Sequence, residues 1–113
     1  PLDVAAMAPA VMAVETAPPF DKKGTTFLEA VMLGVGDALA ADPRAFVIGE
    51  DVGGKYGNAF LLLRPLLAKY GDRILNSPLA EGAVLGACVG AALGGLRPIG
   101  EMQFVGGAMI LVF

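Results

Sequence analysis

From position 82 to position 94 a glycine stands at every fourth residue: Gly82, Gly86, Gly90 and Gly94. On a helix, positions four apart stack on one face, so these four make a ridge without side chains. Each glycine costs up to about 1 kcal/mol of helix stability relative to alanine. Four of them call for a compensating gain, and close approach of another backbone is the usual one. Spacing alone leaves two readings open: a tightly packed helix without chemistry, and a helix that borders an active site.

The segments around this helix alternate in type. Thr26 and Glu29 have the spacing of a capping box, and Phe27, Ala30, Val31, Val35, Ala38 and Leu39 then follow helical spacing as far as Asp42-Pro43. Residues 45–48 are a short apolar run before a glycine, which predicts a buried strand. Residues 49–58 carry glycines and turn formers among charges, which predicts a loop. Residues 59–70 are helical in composition but contain Pro65. Proline costs about 3 kcal/mol inside a helix, so the helix kinks or its regular part begins at Pro65. Gly71 is the expected stop. A second strand is expected over 73–76, a third helix over 81–95 and a third strand over 97–104.

Helix and strand in alternation predict the α/β class, a parallel sheet flanked by helices, here incomplete. Ligands in such sheets sit at the carboxyl ends of the strands. Glu50 and Asp51 follow the first strand and Glu81 follows the second, so all three fall on the expected ligand edge. Residues 1–24, rich in Ala and Pro, read as a flexible lead or linker. Residues 25–113 read as the N-terminal portion of one domain. The start at Pro1 and the apolar end at Phe113 read as the ends of a fragment.

Composition narrows the chemistry. The chain has no histidine and one cysteine, Cys88. The commonest general base and metal ligand is therefore missing, no internal disulfide can form, and no metal site is expected. Net charge is -3 with no basic cluster, which argues against a nucleic-acid partner. The longest apolar run, 82–96, is 15 residues against the roughly 20 that span a bilayer. The apolar start lacks the basic region of a signal peptide. With 56% hydrophobic and 17% charged residues, some apolar surface is expected to meet a partner. Cys88 reads as a small buried apolar residue.

Glu81, four residues, Gly86-Ala87, two residues, Gly90-Ala91 resembles the pattern of the pyrimidine-binding domain in thiamine diphosphate enzymes. The flanking segments are similar to the beta subunit of the first component of 2-oxo acid dehydrogenases (pyruvate, branched-chain and acetoin types). These segments are Ile48-Gly-Glu-Asp-Val-Gly53, Tyr70-Gly-Asp-Arg-Ile74, Asn76-Ser-Pro-Leu-Ala-Glu81, Gly95-Leu-Arg-Pro-Ile99 and Glu101-Met-Gln-Phe104. The resemblance implies that Glu81 is the catalytic carboxyl, bonded to N1′ of the cofactor's aminopyrimidine and carrying a proton. Apolar surroundings favour the neutral form of a carboxyl, and Leu79 and Ala80 are expected to supply them. Glu50, Asp51 and Leu79 are implied to border the cofactor. Gly82, Gly86, Gly90, Gly94 and Glu101 are implied to lie at a subunit interface. From the residues alone, Glu81 reads first as a dipole-favourable helix start and Glu50-Asp51 as a solvated turn pair, with a structural salt bridge the alternative for Glu101.

The resemblance further implies an alpha subunit that holds the diphosphate and its magnesium ion, a second beta subunit, a lipoyl acyltransferase and a small 2-oxo acid substrate. The implied location is the cytoplasm, or the mitochondrial matrix in a eukaryote. Gly36-Asp37 and Gly71-Asp72 do not match the family's diphosphate motif, and Gly107 stands where the family carries an aromatic that stacks on the pyrimidine. The isolated chain is accordingly expected to be inactive. Two alternatives stay open: an inert fragment that only packs against other subunits, and a transketolase-like enzyme.

Overall fold

The computed structural model describes residues 26–58 and 60–103. The lead over 1–24, Phe104 and Gly107 lie outside them. Helix α1 (Phe27–Ala41) is followed by strand β1 (Ala45–Glu50), a 3-10 turn (Arg64–Leu66), a short helix α2 (Leu67–Tyr70) and a second 3-10 turn (Gly71–Arg73). Strand β2 (Ile74–Ser77), helix α3 (Glu81–Leu93) and strand β3 (Arg97–Glu101) complete the order.

The caps explain the boundaries. Thr26 starts α1, its Oγ1 accepting from Glu29 N at 3.1 Å, as the capping-box spacing predicts. At the other end Arg73 donates to three carbonyl oxygens, Leu39 at 2.6 Å, Asp42 at 3.0 Å and Ala45 at 3.0 Å. A cation on the last carbonyls of a helix satisfies acceptors that the helix itself leaves free. Helix α3 ends in a Schellman motif: Leu96 N donates to Ala91 O at 2.9 Å and Gly95 N to Ala92 O at 3.1 Å. Gly95 takes φ of 93° there, a conformation that favours glycine.

The stretch over 59–70 resolves in favour of a regular part that begins beside Pro65. Leu61, with φ of 58°, lies outside helical space, and among the described residues of this stretch only Arg64–Leu66 and Leu67–Tyr70 wind. Gly71 does not stop that helix by a left-handed turn. Its φ is -53°, and the chain continues into the second 3-10 turn. Arg73 is drawn into capping α1, so β2 begins one residue later than expected, at Ile74.

The sheet is parallel, in the order β2-β1-β3. Val47 pairs Ile74, and Gly49 pairs Glu101. Side chains alternate across a strand. Ala45, Val47 and Gly49 face the buried side, where Leu39, Leu63, Val52 and Ile74 complete the core. Fully burying a Leu or Val contributes about 1.5–3 kcal/mol, so these few residues carry much of the stability. On the opposite face, Val84 and Cys88 of α3 pack over Gly100 of β3. Val84 is buried and Cys88 is half-buried, and burial pushes the Cys88 thiol above its ordinary value. No helix of the described residues is long and apolar enough to cross a membrane.

Candidate functional site

With strand order β2-β1-β3, the chain leaves β1 for one neighbour and returns on the other side of it. The carboxyl ends of β1 and β3 flank this switch of direction, where open α/β sheets bind ligands. Glu50 is the last residue of β1, Glu101 the last of β3, and Glu81 the first of α3. Glu50, Glu81 and Glu101 line one small cleft with Val84, Met102 and Gln103. The cleft encloses about 10 Å³, room for one water at most, so any ring must sit at its mouth.

Each wall has a local cause. Ala80 precedes α3 and its side chain makes no cap to the first turn, which leaves Glu81 at the positive end of the helix. The approach to Glu81 is fixed upstream by Asn76, whose Oδ1 accepts from Gly53 N at 2.7 Å. Glu101 lies over Gly49. A Cβ at position 49 would stand 2.8 Å from Glu101 Cβ, 2.8 Å from its carbonyl oxygen and 2.9 Å from its Oε2. Glycine at 49 is what allows the carboxyl to lie there. Gln103 donates from Nε2 to Glu50 O at 3.3 Å, closing the far side.

Burial pushes the Glu101 carboxyl above its ordinary range. A hydrogen bond from Asn58 works in the opposite direction, and the nearby Glu50 adds to the rise. Oε1 of Glu50 and Oε2 of Glu101 are buried and have no hydrogen-bond partner among the described residues. Buried polar atoms are normally satisfied, so this pair is an unmet demand for a donor within two residues that line the cleft. No basic side chain lines it. A nitrogen heterocycle with N–H donors suits such a rim, and a diphosphate is repelled by it. Among the described residues no group of three or more His, Cys, Asp or Glu is arranged to hold a metal ion. A much larger open groove lies at the amino ends of the strands, between Asp37, Ala38 and Asp42 on one side and Leu96, Arg97 and Pro98 on the other. It is on the edge away from the carboxyls.

Of the residues singled out from sequence, Glu50, Glu81 and Glu101 come together. Asp51 takes φ of 51°, and its side chain is exposed while its carbonyl accepts from Asn58 N at 2.8 Å. Leu79 is 83% exposed, so within this chain it does not supply the apolar enclosure expected around Glu81. The glycine ridge faces outward: nothing stands within 4 Å of a Cβ built at Gly86 or Gly90. The backbone expected to approach it is not among the described residues. Gly82 is half-buried, and Gly94 caps the helix end. Glu101, expected at an interface, is half-buried within this chain, its carboxyl against Gly49 and Asn58.

Gln103, which lines the cleft, and Asn58 and Asn76, which bond to Glu101 and Gly53 beside it, carry no assigned role in the sequence reading. The signal for Asn58 was a lone amide in a glycine-rich turn. It is 6% exposed with φ of 72°, conditions that a solvated turn former does not need.

A model of the transketolase pyrimidine-binding domain matches residues 23–110. The chain is 42% identical over 80 residues to the 2-oxoisovalerate dehydrogenase subunit beta of Bacillus subtilis, covering 70% of this chain and 24% of that protein. It is 41% identical over 86 residues to the pyruvate dehydrogenase E1 component subunit beta of Cyanidium caldarium, covering 75% and 26%. It is 38% identical over 76 residues to the acetoin:2,6-dichlorophenolindophenol oxidoreductase subunit beta of Cupriavidus necator, covering 59% and 22%. The chain thus spans about a quarter of the length of the curated relatives it matches. The matched span takes in all three carboxyls of the cleft, and the chain belongs to the transketolase pyrimidine-binding domain family.

Proposed function

We propose that this chain supplies the pyrimidine-binding part of a thiamine diphosphate-dependent 2-oxo acid dehydrogenase, with Glu81 as the acid that bonds N1′ of the aminopyrimidine. The observation that carries the reading is the convergence of Glu50, Glu81 and Glu101 on one cleft at the switch point of the sheet. Glu81 stands at the cleft from the first turn of α3, from where its carboxyl would bond N1′ of the bound aminopyrimidine. Glu50 and Glu101 contribute acceptor atoms that are otherwise unpartnered. No basic side chain lines the cleft, which agrees with the resemblance's implication that an alpha subunit holds the diphosphate and its magnesium ion. When bound, the cofactor supplies the electron sink for decarboxylation of a small 2-oxo acid, and the acyl group passes to lipoamide on an acyltransferase component. The ridge of Gly82, Gly86, Gly90 and Gly94, open at Gly86 and Gly90, serves the alpha subunit or a second beta subunit. The compartment is the cytoplasm, or the mitochondrial matrix in a eukaryote.

That ridge also favours a second reading, in which the chain only packs and has no part in chemistry. Mixing the chain with a 2-oxo acid dehydrogenase alpha subunit, thiamine diphosphate and magnesium separates the two. Cofactor binding with release of carbon dioxide from a 2-oxo acid supports the first reading. A complex that forms but neither binds the cofactor nor decarboxylates any 2-oxo acid favours the second.

A further inference from the structure

We propose that Asn58 is a positioning residue of the cleft: its side-chain amide ties the loop after β1 to Glu101, and so fixes the Glu50–Glu101 rim relative to Glu81. The proposal rests on the cofactor reading of that cleft. The loop from Asp51 to Leu63 is under conformational constraint, with left-handed φ at Asp51, Gly54, Gly57, Asn58 and Leu61. Non-glycine residues persist in that region only where their surroundings over-determine them. Asn58 is the buried polar side chain at the centre of this loop. Its backbone N donates to Asp51 O at 2.8 Å, and its Oδ1 accepts from Phe60 N at 2.8 Å and Leu62 N at 3.2 Å. Its Nδ2 points at Glu101 Oε1, at 3.5 Å. Asn58 therefore gathers both ends of the loop and the end of β3: its backbone N holds Asp51, and its side chain holds Phe60, Leu62 and Glu101.

The chemistry selects asparagine. Position 58 needs a residue that tolerates a left-handed backbone and that accepts on one side while donating on the other. Glycine keeps the backbone and loses every side-chain bond. Aspartate keeps the backbone and the two accepted bonds, but turns an acceptor toward a carboxyl. Asn58→Asp is therefore the informative cut: it keeps the bonds from Phe60 N and Leu62 N, removes the donor toward Glu101 and sets a second carboxyl beside it. The separation of 3.5 Å is at the outer limit of a hydrogen bond, so the decisive test reads the pair and not the distance.

The test is a polarity swap. In the Asn58→Asp, Glu101→Gln double variant, the amide introduced at position 101 donates to the carboxylate introduced at position 58, and the link is remade in reverse. Amide hydrogen exchange is followed at Gly53, Leu62 and Leu63, in the chain assembled with an alpha subunit. We expect N58D to speed exchange there by a factor of about five to ten, the worth of one hydrogen bond. The double variant should return to within about twofold of E101Q. Proton exchange at C2 of bound thiamine diphosphate should follow the same order, with N58D slowed on the order of tenfold by misplacement of the rim. If N58D does not fold and the double variant does, the rescue itself supports the proposal. Additive effects, or a double variant that is no better than N58D, would overturn it. Absence of C2 exchange in the parent complex would instead overturn the cofactor reading, and the amide-exchange cycle would still decide the role of Asn58.

Discussion

Replacing Gly49 by alanine tests how the cleft is built. A methyl group at 49 would stand 2.8 Å from the Glu101 carbonyl oxygen and from Glu101 Cβ, and 2.9 Å from Oε2. The Oε2 end of the side chain can swing away. The carbonyl oxygen and Cβ cannot move unless β3 shifts against β1, with which it pairs from Ala45 to Gly49. Overpacking of this kind costs about 1–3 kcal/mol. Losing glycine's flexibility in the unfolded chain returns roughly 0.4–1 kcal/mol. The net expectation is a loss of about 1–2 kcal/mol, or roughly 4–16 °C in Tm for a domain of this size. Glu101→Gly on top of Gly49→Ala removes the Cβ and Oε2 contacts and leaves the carbonyl, so it should recover part of the loss and not all. The assay is urea unfolding of the single and double variants, compared by midpoint and slope. A G49A chain as stable as the parent would refute the reasoning, and so would a complete recovery in the double variant.

Three further outcomes follow from other parts of the chain. Arg73→Met strips the donor from three carbonyls and should cost about 2–4 kcal/mol in urea unfolding, less than three separate charged bonds because water reaches part of the site. Asp42 is held at about 2, below the ordinary 3.8, chiefly by side-chain and backbone hydrogen bonds from Arg44. Its contribution is present above 3.8 and is lost as pH falls toward 2, so Asp42→Asn should flatten acid unfolding in that window, measured as the urea midpoint against pH. Gly86→Ala and Gly90→Ala meet nothing within 4 Å. Each should raise the stability of the isolated chain by up to about 1 kcal/mol while weakening its sedimentation as a complex with a partner subunit.

The alternation of helices and strands was legible from periodicity, because a parallel sheet covered by helices needs that order. Glu81 is singled out by its distance from Gly86 and Gly90, a chain-local pattern shared with the family, and the structure places it in the lining of the cleft with Glu50 and Glu101. The convergence of Glu50 with Glu101 was not. It depends on β3 pairing β1 across the sheet, and no local spacing encodes which strand sits beside which. Gly49 reads in sequence as a turn former, and its use as the seat of a carboxyl appears only once Glu101 lies over it. The glycine ridge shows the opposite limit. Periodicity predicts that a close neighbour exists but not which chain it belongs to, and within the described residues the ridge meets open space at Gly86 and Gly90. Asn58 was hidden by its residue type, since an asparagine among glycines reads first as a solvated turn.

The role proposed for the cleft stands or falls on Glu81. The direct measurement is hydrogen–deuterium exchange at C2 of thiamine diphosphate, bound to the chain assembled with an alpha subunit, for the parent and for Glu81→Gln. Removing a positioned acid commonly costs about 10²–10⁴-fold. The variant should fold, bind the partner and lose C2 exchange on that order. Exchange in E81Q within a few-fold of the parent would contradict the assignment.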